Sequence, residues 1–201
     1  MALNSVANGR VLRETGFDDV YVMPGAGDNG TCIGAAYQLY NGVLKHSKRF
    51  HHGHAYVGTE YANDAIEKVL REAKVDYRRA DDVCREIPRL LRRGLIVAWF
   101  QDKMEFGPRA LGSRSILADP TLPGMKDKIN AEVKHREAFR PFAPSVPEED
   151  AARYFDFGQT SPFMLMVCDV RPECRTLLPA ITHVDGTARL QTVTPCGNER
   201  Y

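Results

Sequence analysis

Leu95-Ile96-Val97-Ala98-Trp99-Phe100-Gln101-Asp102-Lys103-Met104-Glu105-Phe106-Gly107-Pro108-Arg109-Ala110-Leu111-Gly112-Ser113-Arg114-Ser115-Ile116-Leu117-Ala118-Asp119-Pro120 carries the pattern on which the fold turns. Its first six residues are continuously apolar, with β-branched and aromatic members. They read as the strongest strand of the chain, central in its sheet. Upstream, Asp81 or Asp82 caps a helix with Val83, Ile87, Leu90 and Leu91 inward and Gly94 as its stop. Helix, buried strand and glycine-containing loop make an α/β arrangement, and such folds bind ligands in loops beyond the carboxyl ends of their strands. Gly107 and Gly112 would let the backbone approach a ligand. Arg109, Arg114 and Ser115 supply donors, the guanidinium fork suiting two phosphate oxygens at once. A second reading stands beside this one: surface arginines paired with Glu105 and Asp119.

A second cluster favours the anion reading. Lys134-His135-Arg136-Glu137-Ala138-Phe139-Arg140-Pro141-Phe142-Ala143-Pro144 packs basic residues between aromatic rings and prolines, with no simple helical face. A concave anion site with rigid walls is built this way; a solvated helix is not. The formal charge is only +1, with 27 Lys and Arg against 26 Asp and Glu. A near balance gives no argument for nucleic acid or membrane partners, so the anion site is local and its ligand a small polyanion. Arg109, Lys134, Arg136, Arg140 and Arg189 are the candidates to neutralise and orient it. Ser115 reads as a phosphate donor, since no His-Asp relay surrounds it. His135 reads as a proton shuttle or as packing. No Gly-x4-Gly-Lys-Ser/Thr run is present, and both P-loop and Rossmann readings are set aside.

Outward from these segments, Asn4 to Glu14 has helical spacing and Gly16 ends it, Val20 to Met23 is a short strand candidate, and Pro24 to Gly30 is a tight loop. A helix over Thr31 to Leu44 follows. Residues 46–57 read as a linker between a short unit, 1–45, and a larger one, 58–201. Its His51, His52 and His54 could suggest a metal, but a solvated or phosphate-adjacent loop is the better reading without a nearby carboxylate or cysteine. In the larger unit, Asn63 caps a helix running to Ala73, Val75 to Arg78 and Phe163 to Val167 are strand candidates, Glu148 to Tyr154 a helix, and Ala188 to Val193 a strand. The five cysteines, Cys32, Cys84, Cys168, Cys174 and Cys196, include no Cys-x-x-Cys pair and read as small buried hydrophobes in a reducing cytoplasm. No apolar run reaches the roughly 20 residues of a membrane span. Both ends read as abrupt, the expectation being a partial chain.

Three segments together resemble the NodU/CmcH carbamoyltransferase family. They are Met104 to Pro120, then Val133-Lys134-His135-Arg136-Glu137 with Phe139-Arg140-Pro141-Phe142-Ala143-Pro144-Ser145, then Asp185-Gly186-Thr187-Ala188-Arg189-Leu190-Gln191-Thr192-Val193. Pro24 to Ala36 looks like the end of that family's N-terminal domain. The resemblance implies an actin-like (ASKHA-type) domain ending in residues 1–45 and a YrdC-like α/β domain over 58–201. It implies carbamoyl-adenylate formation from carbamoyl phosphate and ATP, followed by transfer to an alcohol of a small molecule such as an antibiotic or nodulation factor. Arg109, Lys134 and Arg140 would be catalytic, and Arg114, Ser115, Arg136 and Arg189 would bind the nucleotide. Asp28 would bind a divalent metal, iron or another transition metal, together with a histidine pair that this chain does not contain; Mg would accompany ATP. As composition alone reads it, Asp28 is a turn residue. Small-molecule substrates are the expected partners, with no membrane or nucleic acid, and a homodimer is possible. Two alternatives remain: a threonylcarbamoyl-adenylate enzyme of tRNA modification, and a noncatalytic nucleotide-binding remnant.

Overall fold

The computed structural model describes residues 1–201, the side chain of Cys196 excepted. It is a mixed α/β fold with small sheets. Helix α1 (Ser5–Glu14) begins where the Asn4 side chain accepts the Ala7 N–H, a local cap that satisfies one of the free donors of the first turn. Helix α2 (Thr31–Tyr37) widens into a π-helical stretch, Gln38–Val43, and residues 45–55 form neither helix nor strand. Strand β1 (Tyr56–Glu60) follows, then α3 (Asn63–Glu72) and α4 (Val83–Arg92). Asp82 caps α4 through the Arg85 N–H, as its sequence indicates. Asn63 is the first helical residue of α3, and no side chain caps that helix.

Strands β2 (Val97–Phe100) and β4 (Arg114–Leu117) form one antiparallel pair, and β3 (Lys103–Glu105) pairs with β1. The Leu95–Phe100 run is therefore one strand of a two-stranded ribbon, not the centre of a sheet. Its residues alternate between half-buried and exposed, Phe100 being 47% exposed. Apolar continuity alone does not distinguish a central strand from a ribbon with both faces partly covered. Helix α5 (Met125–Ile129) passes into a π turn, Asn130–Lys134, ended by His135 in the left-handed region at φ 47°.

The core lies in the C-terminal third. Strands β5 (Ser145–Pro147) and β9 (Gln191–Val193) are parallel neighbours. After the short helix α6 (Ala151–Tyr154), strands β6 (Phe155–Asp156), β7 (Val167–Val170) and β8 (Thr187–Arg189) form an antiparallel sheet. Phe155, Cys168, Val170, Leu178, Ile181, Ala188 and Leu190 pack into its principal apolar cluster. Helix α7 (Pro195–Asn198) closes the chain. Among the described residues no helix is long and apolar enough to cross a membrane.

Several expected elements differ. Val20 to Met23 and Val75 to Arg78 form neither strand nor helix, because no neighbouring strand offers them a ladder. The strand expected over Phe163 to Val167 begins at Val167; Phe163, Met164 and Leu165 are instead buried without strand pairing, in a cluster joined by Leu3 and Val22. Ala188 to Val193 divides into β8 and β9 at Leu190, and these join different sheets. Of the cysteines, Cys168 and Cys174 are buried but Cys32 and Cys84 are exposed; the side chain of Cys196 lies outside what the structure describes. The N-terminal strip leans on the larger unit: Asn8 donates to the Leu165 carbonyl at 2.9 Å and Arg13 to Asp169 at 2.8 Å.

Candidate functional site

The loop between β3 and β4 is organised by one buried carboxylate. Glu105 Oε1 accepts the N–H groups of Leu111, Ser113 and Arg114 at 2.7, 2.7 and 3.1 Å. Its Oε2 accepts Arg114 Nε at 3.1 Å, and its carbonyl takes Arg114 Nη2 at 2.9 Å. Burial alone would raise the Glu105 pKa; the Leu111 and Ser113 N–H groups and Arg114 outweigh it and hold the carboxyl below its ordinary range. A second clamp acts at Leu111, whose carbonyl accepts Tyr56 Oη at 2.7 Å and Gln191 Nε2 at 2.9 Å. The loop is thereby tied to both β1 and β9.

This wiring bears on four residues expected to face a ligand. Arg114 lies on a strand and turns its guanidinium to Glu105, as the alternative reading of the loop allowed. Ser115 is also on that strand, and its Oγ accepts the Gly112 N–H at 3.0 Å. Gly107 and Gly112 do have left-handed φ values, 118° and 113°, but the close approach they permit is to the protein itself. A Cβ on Gly107 would fall 2.6 Å from the Pro24 carbonyl oxygen, and one on Gly112 would fall 2.7 Å from the Tyr201 ring.

Arg109, on the same loop, is different. Its Nε is buried without a hydrogen-bond partner, and so is the Nε of Arg189 at the end of β8. Burial, reinforced by the charges of Arg109 and Arg136, lowers the Arg189 pKa to about 10. Three arginines from separate segments thus share one neighbourhood without a carboxylate to balance Arg189. Such a cluster is unfavourable unless an anion fills it.

Arg136 is aimed from the π turn. The fully buried Asn130 accepts Arg136 Nε at 2.7 Å and donates to the Arg140 carbonyl at 2.9 Å, so one side chain spans the whole basic segment. The Arg136 guanidinium lies 4.8 Å from the Phe142 ring centroid. π turns recur at functional positions because they displace side chains from helical register. Lys134 and Arg140 stand on the exposed side of this segment, and Arg140 pairs with Glu137 at 3.0 Å. His135 is exposed. Phe142 also lines a largely apolar hollow of ≈ 450 Å³ with Leu117, Ile129, Val146 and Ile181.

His183 was not evident from the sequence. Its Nδ1 lies 3.0 Å from Thr187 Oγ1, which donates to Asp185 Oδ1 at 2.7 Å. Its Nε2 is the third buried nitrogen lacking a partner. Burial lowers the His183 pKa, aided by Arg189 and opposed by Asp185, so the imidazole is neutral near pH 7. The hydrogen bond from Thr187 lowers the Asp185 pKa. A histidine followed two residues later by Asp-Gly-Thr is the only local signal, and it does not reveal where the ring points. Glu105 and Asn130 were likewise missed as positioning residues.

Asp28 opens a three-residue 3-10 turn and is exposed. Among the described residues no group of three or more His, Cys, Asp and Glu is placed to hold a metal. The residues present therefore do not make a metal centre around Asp28. The histidines of the linker contact aromatic rings: His46 stacks on Tyr40 at 4.2 Å, His51 tilts against Tyr21 at 5.5 Å, and His52 bonds to Tyr37. Gly25, Gly27 and Gly30 do have the Gly-x-Gly-x-x-Gly spacing of a dinucleotide loop. No strand precedes them and Gly25 packs on Phe106, so that motif's context is lacking.

Comparison with known proteins bears on the same segments. The Carbamoyltransferase C-terminus family model matches residues 88–201, which include all three arginines, Glu105, Asn130 and His183. The Carbamoyltransferase N-terminus model matches residues 1–37. Nodulation protein NolNO of Sinorhizobium fredii is 45% identical over 100% of this chain and 30% of its own length. Nodulation protein NolO of Bradyrhizobium diazoefficiens is 42% identical over 100% of this chain and 38% of its own. Nodulation protein U of Rhizobium tropici is 40% identical over 90% of this chain and 30% of its own. The chain spans about a third of the length of the curated relatives it matches. With one C-terminal family model covering more than half of the chain and the start of the chain matched by its N-terminal counterpart, this protein belongs to the carbamoyltransferase family.

Proposed function

We propose that residues 58–201 form a YrdC-like domain that makes carbamoyl-adenylate from carbamoyl phosphate and ATP, following the end of an actin-like transfer domain in 1–45 and a linker in 46–57. In this reading the carbamoyl group then passes to a hydroxyl of a small-molecule acceptor in a protein that includes the rest of the transfer domain. The observation that carries it is the convergence of Arg109, Arg136 and Arg189, with two buried Nε donors unpartnered.

Atom balance sets what the site must do. Carbamoyl phosphate, ATP and one water yield carbamoyl-adenylate, phosphate and pyrophosphate. Water takes the phosphoryl group, a carbamate oxygen attacks the α-phosphorus of ATP, and the bond to pyrophosphate breaks. Every reactant but water is anionic, so the obstacle is Coulomb repulsion. Two like unit charges at 4 Å repel by about 4 kcal/mol at an effective dielectric of about 20. Arg109 and Arg189 hold the acyl phosphate, Arg136 faces the nucleotide phosphates, and Lys134 and Arg140 steer anions at the rim. Arg114 and Ser115 serve by holding the loop. The hollow beside Phe142 suits the nucleoside end.

The test is pyrophosphate release from ATP in the presence of carbamoyl phosphate. Arg109→Ala and Arg189→Ala should each abolish it while circular dichroism is unchanged; near-normal release in both removes the cluster from the mechanism. Carbamoyl phosphate with ATP should raise the melting temperature, by mass action on the native state. A larger rise with threonine and bicarbonate would favour the tRNA-modification chemistry instead.

A further inference from the structure

We propose that His183 is the residue by which the site tells a carbamoyl phosphate from other acyl phosphates, through an N–H of the ligand donated to its Nε2. The proposal rests on the anion-site reading above and adds a specificity element to it.

The tautomer follows from donor and acceptor counting. Asp185 Oδ1 accepts both the Thr187 N–H at 3.1 Å and the Thr187 hydroxyl at 2.7 Å. A carboxylate only accepts, so the Thr187 hydroxyl proton points to Asp185. The remaining contact, 3.0 Å from His183 Nδ1 to Thr187 Oγ1, then needs Nδ1 to carry the hydrogen. Nε2 is left with a lone pair, buried and unpartnered. The turn that holds the ring is itself closed, with His183 N–H on the Thr187 carbonyl at 2.8 Å and Gly186 N–H on the His183 carbonyl at 3.0 Å.

Among the described residues the buried side-chain nitrogens without a partner are therefore two donors, Arg109 Nε and Arg189 Nε, and one acceptor, His183 Nε2; the His183 ring is held by Thr187, which lies two residues before Arg189 on the same face of β8. A phosphate dianion satisfies the donors and leaves the acceptor empty. Acetyl phosphate does the same, with a methyl group against the lone pair. Carbamoyl phosphate carries anionic acceptors at one end and an NH₂ donor at the other, the complement of this set. A site built to hydrogen-bond a ligand group penalises an analogue without it, because its own buried polar atom stays unpaired.

The experiment compares binding of carbamoyl phosphate, acetyl phosphate, inorganic phosphate and ADP to the wild-type chain, His183→Phe and His183→Gln by calorimetry, with folding checked by circular dichroism. Wild type should prefer carbamoyl over acetyl phosphate by at least about tenfold. His183→Phe should bring the ratio within about twofold by weakening carbamoyl phosphate alone, and the amide oxygen of His183→Gln should restore part of it. Nitrogen-15 spectra of the free protein should show Nε2 unprotonated. A preference that survives His183→Phe, an equal loss for all the phosphates, an effect confined to ADP, or a protonated Nε2 overturns the assignment. No binding of any of these anions by wild type would instead refute the anion-site reading. Wild-type binding without discrimination refutes the role of His183 alone.

Discussion

Arg109, on the loop between β3 and β4, and Arg114, at the start of β4, are five residues apart and indistinguishable in chemistry, yet their surroundings are opposite. Arg114 is bonded to a buried glutamate that also gathers three backbone N–H groups. Arg109 has a buried Nε with no partner and bears on a second buried cation, Arg189. The first arrangement stabilises the fold by satisfying every group that folding desolvates. The second leaves donors waiting and makes sense as a binding site. The difference teaches that a count of arginines in a motif does not locate an anion site; the pairing of each one does.

The comparison breaks first at Glu105. Glu105→Ala should destabilise the protein by about 3–5 kcal/mol, because it orphans several buried donors at once. Urea unfolding measures this, and a loss below about 0.5 kcal/mol would refute the clamp. Acid should act in the same direction. The folded-state pKa of Glu105 lies below its unfolded value. Its contribution is therefore complete above the ordinary glutamate range near about 4.3 and is lost as pH falls through the depressed value. Glu105→Gln should flatten that acid limb of the stability curve.

Arg114→Ala is the next largest change. It removes one partner of Glu105 but leaves the three backbone donors, so the expected loss is about 1–3 kcal/mol. Anion affinity should follow stability and not fall further. A selective loss of phosphate binding at full stability would return Arg114 to the ligand.

Arg189→Met sharpens the contrast by reversing the sign. Removing a buried cation with no carboxylate partner should leave stability unchanged or raise it by about 1 kcal/mol, while the thermal shift on adding phosphate disappears. A marked destabilisation without loss of that shift would make Arg189 structural. The smallest effect is expected at Arg140. Its pair with Glu137 is exposed on both sides. Arg140→Ala should cost under about 0.5 kcal/mol, and any weakening of anion binding should fade as salt rises.

Much of this organisation was legible without coordinates where the interactions are local. The helix from Asn4 showed in its spacing, and Asp82, one of two candidate caps, bonds to a residue only three positions on, so both helices start close to where the sequence indicates. The basic segment at 134–140 was also marked by its own composition. Strands were less legible. Val20 to Met23 and Val75 to Arg78 have suitable side chains but no partner strand, and a strand exists only through pairing. Leu95 to Phe100 is a strand over its last four residues, but its place in a sheet depended on what covers its two faces.

The amino-acid sequence by itself determined the family, the mixed α/β character and the three segments that supply the arginines. Those are carried by ordered residues close together along the chain. Only the tertiary structure decided that the charges of Arg109 and Arg136 bear on a buried Arg189 while Arg114 turns to Glu105, that Asn130 holds the basic segment, and that His183 keeps a buried, unpartnered Nε2. Each of these depends on contacts between distant segments, and whether a charge is paired or waiting for a ligand is set by which groups burial brings beside it.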